Sequence, residues 1–240
     1  MKDGEIIILA VDTTSAHGSL ALLRGRQLLE CLEVQAPQSF SRVLFGEIEA
    51  LLGRHSVALR EIDLYAAAAG PGSFTGVRVG LTAAKGLAVA HGKRVVPVSN
   101  LAATALLACD LDEASLPRLL IPALDARRGE LYVGVYERVS DASLAMPLRP
   151  VMQEVVSLPA ALQQRLAGLC LPVDGAAFCG PDVERLPLAH FRRLTTGRAL
   201  AGAVARLAWH AHQGGASLAP EEADANYVRR SDAEIFSPHP

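Results

Sequence analysis

Ile6-Ile7-Ile8-Leu9-Ala10-Val11-Asp12-Thr13-Thr14-Ser15-Ala16-His17-Gly18-Ser19-Leu20-Ala21-Leu22-Leu23 passes from a continuous aliphatic run, through an aspartate and a turn, into a second aliphatic run. An unbroken β-branched and aliphatic run reads as a strand covered on both faces. A third run, 28–34, follows Arg24-Gly25-Arg26-Gln27 and completes a three-stranded meander opening on an Asp-Thr-Thr loop. The same order returns at Leu119-Leu120-Ile121-Pro122-Ala123-Leu124-Asp125-Ala126-Arg127-Arg128-Gly129, followed by the alternating Glu130-Leu131-Tyr132-Val133-Gly134-Val135-Tyr136. Strand, aspartate, glycine-bearing turn and strand thus occur twice. Such a duplication predicts two similar α/β lobes.

Between the two copies lies Gly70-Pro71-Gly72-Ser73-Phe74-Thr75-Gly76-Val77-Arg78-Val79-Gly80, set after the strand-like 62–69 and running into a helical pattern over 74–90. Glycines at a strand-to-helix joint permit positive φ and close approach of a ligand or of a second backbone. The helix start behind them is an anion site in principle. The loop has no Lys-Ser/Thr ending, so ordinary P-loop chemistry is not supported. Two readings stand together here: a phosphate loop, or a tight turn required by packing.

The helix over 38–52 carries Phe40, Val43, Leu44, Phe45, Ile48, Leu51 and Leu52 over an arc of roughly 200°, wider than one core-facing stripe needs. The helix over 74–90 is apolar or small nearly all round. Gly80, Ala83, Ala84, Gly86 and Ala88 would let a second helix approach, and Arg78 and Lys85 lie seven residues apart on one line. Together the two helices point to a protein interface. Further elements are a strand at 95–98, a helix over 100–107 behind a Ser99-Asn100 capping signal, a polar connection over 138–150, and a helix starting at Ser157-Leu158-Pro159. A short strand at 176–179, a helix over 197–212, a last ordered element at 225–230 and frayed residues 237–240 complete the pattern.

Half of the 240 residues are apolar, enough for a substantial core, and a net charge of −2 supplies no basic field for tight unaided nucleic-acid binding. Any RNA contact is therefore local or delegated to a partner. The four cysteines, at 31, 109, 170 and 179, form no Cys-x-x-Cys pair, which fits a reducing cytoplasm. No apolar run approaches membrane-spanning length. No histidine pair has the i, i+4 spacing of a metal site, and no Gly-x-Ser-x-Gly elbow is present. Asp12 with Thr13 and Thr14, together with Gly72 and Ser73, could serve a phosphoryl group and Mg²⁺; equally, Asp12 and Thr14 could close the turn by local hydrogen bonds.

Ile8-Leu9-Ala10-Val11-Asp12-Thr13-Thr14, the 70–80 loop, Leu124-Asp125-Ala126-Arg127-Arg128-Gly129-Glu130-Leu131-Tyr132 and Tyr227-Val228-Arg229 resemble, in order, the motifs of the TsaB (YeaZ) family. These are the dimerisation subunits of the bacterial tRNA threonylcarbamoyladenosine (t6A) machinery. The resemblance implies an α/β, duplicated ribonuclease H-like fold of the actin, sugar kinase and Hsp70 (ASKHA) type. Its first lobe would occupy 1–100, and its second, with a C-terminal helix and tail packing back on the first, 101–240. It implies a non-catalytic subunit with no catalytic or metal residue of its own, ATP and metal belonging to the TsaD-type paralogue. A TsaE-type ATPase would join the assembly, tRNA would be met through the complex, and the lone chain would form a homodimer.

Carried onto this sequence, the interface comprises Ser39, Arg42, Leu44, Phe45, Ile48 and Leu52 on the first helix, and Val77, Arg78, Leu81 and Lys85 on the second. Many relatives have a histidine followed by Leu-Leu-Pro near the start of the first helix. This chain has Ser39 and Val43-Leu44-Phe45, which leaves Phe45 as a bulky anchor. The competing readings are an independent kinase or ATPase using Asp12, Thr13, Thr14, Gly72 and Ser73, and a glycoprotease-like peptidase.

Overall fold

The computed structural model describes residues 6–36, 39–111, 116–139, 147–169, 175–186 and 191–228. β1 (Ile7–Asp12), β2 (Gly18–Arg24), β3 (Gln27–Val34), β4 (Leu64–Ala68) and β5 (Arg94–Val98) form one sheet in the order β3-β2-β1-β4-β5. β1 runs antiparallel to β2 and parallel to β4, and β5 runs parallel to β4. β6 (Leu119–Asp125), β7 (Leu131–Arg138), β8 (Leu148–Ser157), β9 (Ala176–Gly180) and β10 (Arg192–Thr195) form the second sheet. Its order, β8-β7-β6-β9-β10, repeats the first strand for strand, with the same senses of pairing. The duplicated two-lobe α/β fold expected from the sequence is the fold of the chain.

Two strands were not legible. The connection expected over 138–150 gives way at Leu148 to β8, a half-exposed edge strand. Pro150 within it is tolerated because an edge strand has one side without ladder bonds. β10 is four residues long and begins with two arginines, so it carries no strand-like pattern. The segment expected as a last element at 225–230 has neither helix nor strand as far as Val228; Arg229 and Arg230 and the residues expected to fray, 237–240, lie outside the described residues.

α1 (Phe40–Arg54) and α2 (Phe74–His91) cover the outer face of the first sheet, burying Leu44, Ile48, Leu51, Leu81, Ala84 and Ala88 against Leu9, Val11, Leu20, Leu22 and Tyr65. α3 (Asn100–Cys109) and α5 (Ala201–Gln213) fill the space between the sheets, α3 packing on the second sheet and α5 crossing back to the first. Ile8, Ala10, Leu23, Leu64 and Ala66 meet them from the opposite strand positions. This is why β1 reads as continuously aliphatic: both of its faces are covered. α4 (Pro159–Gly168) closes the outer face of the second sheet with Leu162 and Leu166. No described helix is long and apolar enough to cross a membrane.

Candidate functional site

The glycine loop meets the end of β1. Ser73 N donates to Thr14 O at 2.7 Å, and Thr13 Oγ1 donates to Gly76 O at 2.7 Å. A Cβ placed on Gly76 would lie 2.0 Å from Thr13 O, on Gly72 2.8 Å from Thr14 O, and on Gly80 2.6 Å from Thr13 Oγ1. Of the two readings open at this loop, close approach of a second backbone is what the geometry displays, and that backbone is the chain's own. Ser73 is the N-cap of α2, its hydroxyl accepting from Gly76 N at 3.3 Å. Phosphate binding by Ser73 would compete with that bond.

Asp12 is 1% exposed, and Thr13 and Thr14 are equally sealed. Asp12 Oδ1 accepts from Thr14 N at 2.9 Å and from Thr14 Oγ1 at 2.6 Å, the local closure that the sequence allowed. Thr14 Oγ1 in turn accepts from Asn100 Nδ2 at 2.6 Å, while Asn100 Oδ1 takes Gly70 N at 3.1 Å. Asp12 Oδ2 has no hydrogen-bond partner. Burial pushes the Asp12 carboxyl above its ordinary range, while the two Thr14 donors pull against it. Asp12, Thr13 and Thr14 turn no exposed side chain toward a phosphate group: all three are buried, with Gly76 and Gly80 of α2 against Thr13 and Gly72 against Thr14. Among the described residues no three His, Cys, Asp or Glu side chains stand where they could share a metal ion.

The outward faces of α1 and α2 form the other candidate. Leu44, Ile48, Leu52, Val77 and Leu81, expected at an interface, are buried in the chain's own core and support the outer surface from beneath. Arg42, Phe45 and Arg78 are exposed, and Ser39 is half-buried as the N-cap of α1. The wide apolar arc of α1 thus reduces to Phe45, 56% exposed, because Phe40 and Val43 lean into the core. Of the small residues on α2, Gly80, Ala83, Ala84 and Ala88 are buried against the rest of this chain, so they do not receive a partner helix. Gly86 on α2 and Gly46 and Gly53 on α1 are exposed with open space around them. Val89, 67% exposed, adds an apolar residue that sequence reasoning missed, although its helical spacing from Arg78, Thr82 and Gly86 was available.

Arg78 and Lys85 answer to the C-terminal segment. Lys85 Nζ donates to Ala223 O at 2.7 Å, and Arg78 Nε reaches Tyr227 Oη at 3.4 Å, with its guanidinium 3.9 Å from the centre of the Phe74 ring. The Phe74 and Tyr227 rings lie 5.9 Å apart, each about half exposed. The segment pairs with β5 through Val95 and Leu218, and Asn226 N donates to Ala69 O at 2.8 Å. Glu154 on β8 ties it down: its carboxylate accepts from Asn226 Nδ2 at 2.6 Å and from the hydroxyls of Ser99 and Tyr136. Burial and the adjacent Glu154 charge push the Tyr136 phenol far up. Glu154 carried no sequence signal, and Asn100 was legible only as part of a helix cap, because the bonds that matter here join each of them to partners distant along the chain.

Residues 34–166 match the family described as "TsaD: tRNA N6-adenosine threonylcarbamoyltransferase". The chain is 35% identical over 157 residues to the tRNA threonylcarbamoyladenosine biosynthesis protein TsaB of Haemophilus influenzae, covering 64% of this chain. That match spans 65% of the curated relative's length, just under two thirds. It is 40% identical over 153 residues to a tRNA N6-adenosine threonylcarbamoyltransferase of a Chelativorans strain, covering 62% of this chain and 38% of that protein. Among solved structures, YeaZ from Pseudomonas aeruginosa superposes with a TM-score of 0.76 at 30% identity, over 92% of this chain and 99% of that one.

Proposed function

This chain belongs to the TsaD family, where it stands with the TsaB (YeaZ) proteins, and we propose that it is the dimerising, activating subunit of a t6A assembly. The reaction served is transfer of threonylcarbamoyl to N6 of adenosine 37 in tRNAs reading codons that begin with A. The chemistry, with its ATP and metal, belongs to a TsaD-type paralogue; this chain requires no cofactor and contributes surface rather than acid, base or metal. A TsaE-type ATPase and the tRNA join through the complex, in the cytoplasm.

The observation that carries this reading is the outer face of α1 and α2. Phe45 on α1 and Val89 on α2 stand exposed, and Gly46, Gly53 and Gly86 on the same two helices have open space where a Cβ would lie, which admits close approach of another chain. Rigid packing of Leu44, Ile48 and Leu81 beneath holds that face in shape before a partner arrives, so little ordering cost falls on association. Docking there would favour the catalytic lobe's competent conformation, a population shift rather than a chemical contribution. A two-fold self-contact through the same face accounts for a homodimer when the paralogue is absent. The sealed Asp12 turn gives no support to an independent kinase.

Light scattering on mixtures with a TsaD-type paralogue tests the reading. The wild-type chain should give a heterodimer. Phe45→Asp and Val89→Asp should each weaken it about 30-fold or more, the scale of a buried anchor at an interface centre. Undiminished association in both variants would overturn the assignment of this face.

A further inference from the structure

The turn between β6 and β7 presents two arginines in a conformation that arginine disfavours. Arg127, Arg128 and Gly129 follow one another with φ of 64°, 55° and 76°; among the described residues the only other non-glycine with positive φ is Ser56. Ala126 N donates to Glu130 O at 2.9 Å and Glu130 N to Arg127 O at 3.0 Å, so the turn is closed tightly. Asp125 Oδ1 braces it by accepting from Arg127 N at 2.7 Å. Turns of this hand are ordinarily filled by Asn and Gly, which take positive φ at little cost. Two arginines here are a local conflict between sequence and backbone, and such conflicts concentrate at functional sites.

What the arginines offer is charge at a defined place. The turn is exposed on both residues and extends from the carboxyl end of β6, which runs antiparallel to β7 and parallel to β9. The Arg127 side chain is 88% exposed, and its pairing with Asp125, at 3.7 Å in open solvent, leaves most of its hydrogen-bonding capacity unused. Arg198, on the loop after β10 at the edge of the same sheet, is by contrast committed to Asp182 at 2.6 Å. A planar guanidinium suits phosphate oxygens, and with a net charge of −2 the chain can meet RNA only through a local basic element of this kind.

We propose that the Arg127–Arg128 turn contacts the phosphate backbone of the tRNA in the assembled complex, positioning the RNA without reading its sequence. This rests on the reading above that the chain serves a tRNA-modifying assembly. The test is R127N/R128N, since asparagine accepts positive φ and the variant should melt no lower than wild type. Binding of fluorescein-labelled tRNA to the chain together with its TsaD-type paralogue is followed by anisotropy across a KCl series. The variant should bind about ten-fold more weakly, with the slope of log affinity against log salt reduced by roughly one to two.

An assembly that forms and modifies tRNA, but binds it with unchanged affinity and slope when R127N/R128N is used, overturns this proposal alone. Failure of the wild-type chain to assemble with the paralogue overturns the functional reading and this proposal with it. Loss of assembly in the variant would make the turn a protein contact. Loss of a fluorescent ATP analogue with tRNA binding intact would make it a nucleotide contact. Either result also overturns the RNA assignment.

Discussion

Two glycines on one helix should respond oppositely to the same substitution. In Gly76→Ala the new methyl would lie 2.0 Å from Thr13 O, 3.0 Å from Thr13 C and 3.2 Å from Thr14 Cα, all backbone atoms. That backbone cannot yield cheaply: Thr14 is held by Asp12 Oδ1, and Thr14 O accepts from Ser73 N. Overpacking of this kind costs about 1–3 kcal/mol or more, and a rigid neighbour at such a separation belongs at the high end, against roughly 1 kcal/mol gained in helix propensity. A net loss of about 2 kcal/mol lowers Tm by about 4–8 °C in a chain of this size. In Gly86→Ala nothing lies within 4 Å, so the propensity gain stands alone and Tm should rise by about 2–4 °C. The same methyl sits on the proposed docking face, however, so the stabilised variant should bind a TsaD-type paralogue about ten-fold more weakly. Thermal melting and calorimetric titration measure the two quantities. A neutral Gly76→Ala would refute the packing account of the glycine loop. A Gly86→Ala chain that is more stable and binds its partner undiminished would remove Gly86 from the interface.

Asp12→Asn tests the cost of the buried carboxyl. Because burial raises the folded-state pKa above 3.8, the folded chain retains a proton that the unfolded chain has released within that window, so wild-type stability falls as pH rises through it and stays low above it. Asparagine cannot titrate, and its Oδ1 can still accept from Thr14. The stability advantage of Asp12→Asn should therefore be larger at pH 8 than at pH 4 in urea titrations; an equal or shrinking advantage contradicts the assignment. Glu154→Ala leaves the Ser99, Tyr136 and Asn226 donors without their acceptor and should cost about 2 kcal/mol, with hydrogen exchange rising at Asn226, whose N–H is held by Ala69 O. Exchange in α4 should not change, and an unaltered Asn226 amide would show that Glu154 does not hold the C-terminal segment.

Sequence patterns reach as far as local physics does. β1 and β6 are recognisable because strands covered on both faces are continuously apolar, and the aspartate and turn behind each disclose the duplication. β8 and β10 hide because edge strands tolerate polar residues and proline, and their identity depends on which strand they pair with. The glycine loop announces close approach without saying what approaches; only the fold brings Thr13 and Thr14 against Gly72, Gly76 and Gly80. Likewise the apolar arcs of α1 and α2 mark helices with much to bury. The division of those residues between the core and the outer face, with Phe45 and Val89 outward and Leu44, Ile48 and Leu81 inward, depends on how the helices lie on the sheet. Glu154 is illegible for a related reason, since residues 99, 136 and 226 converge on it only in three dimensions.

Nucleoside analysis of tRNA decides whether this chain is an obligatory subunit of a t6A assembly. An enzyme supplying threonylcarbamoyl-adenylate is combined with the TsaD-type paralogue, the TsaE-type ATPase and unmodified tRNA, with and without this chain. Threonylcarbamoyladenosine should form only when this chain and the paralogue are both present. Equal product without this chain, or product with this chain and no paralogue, would contradict that role.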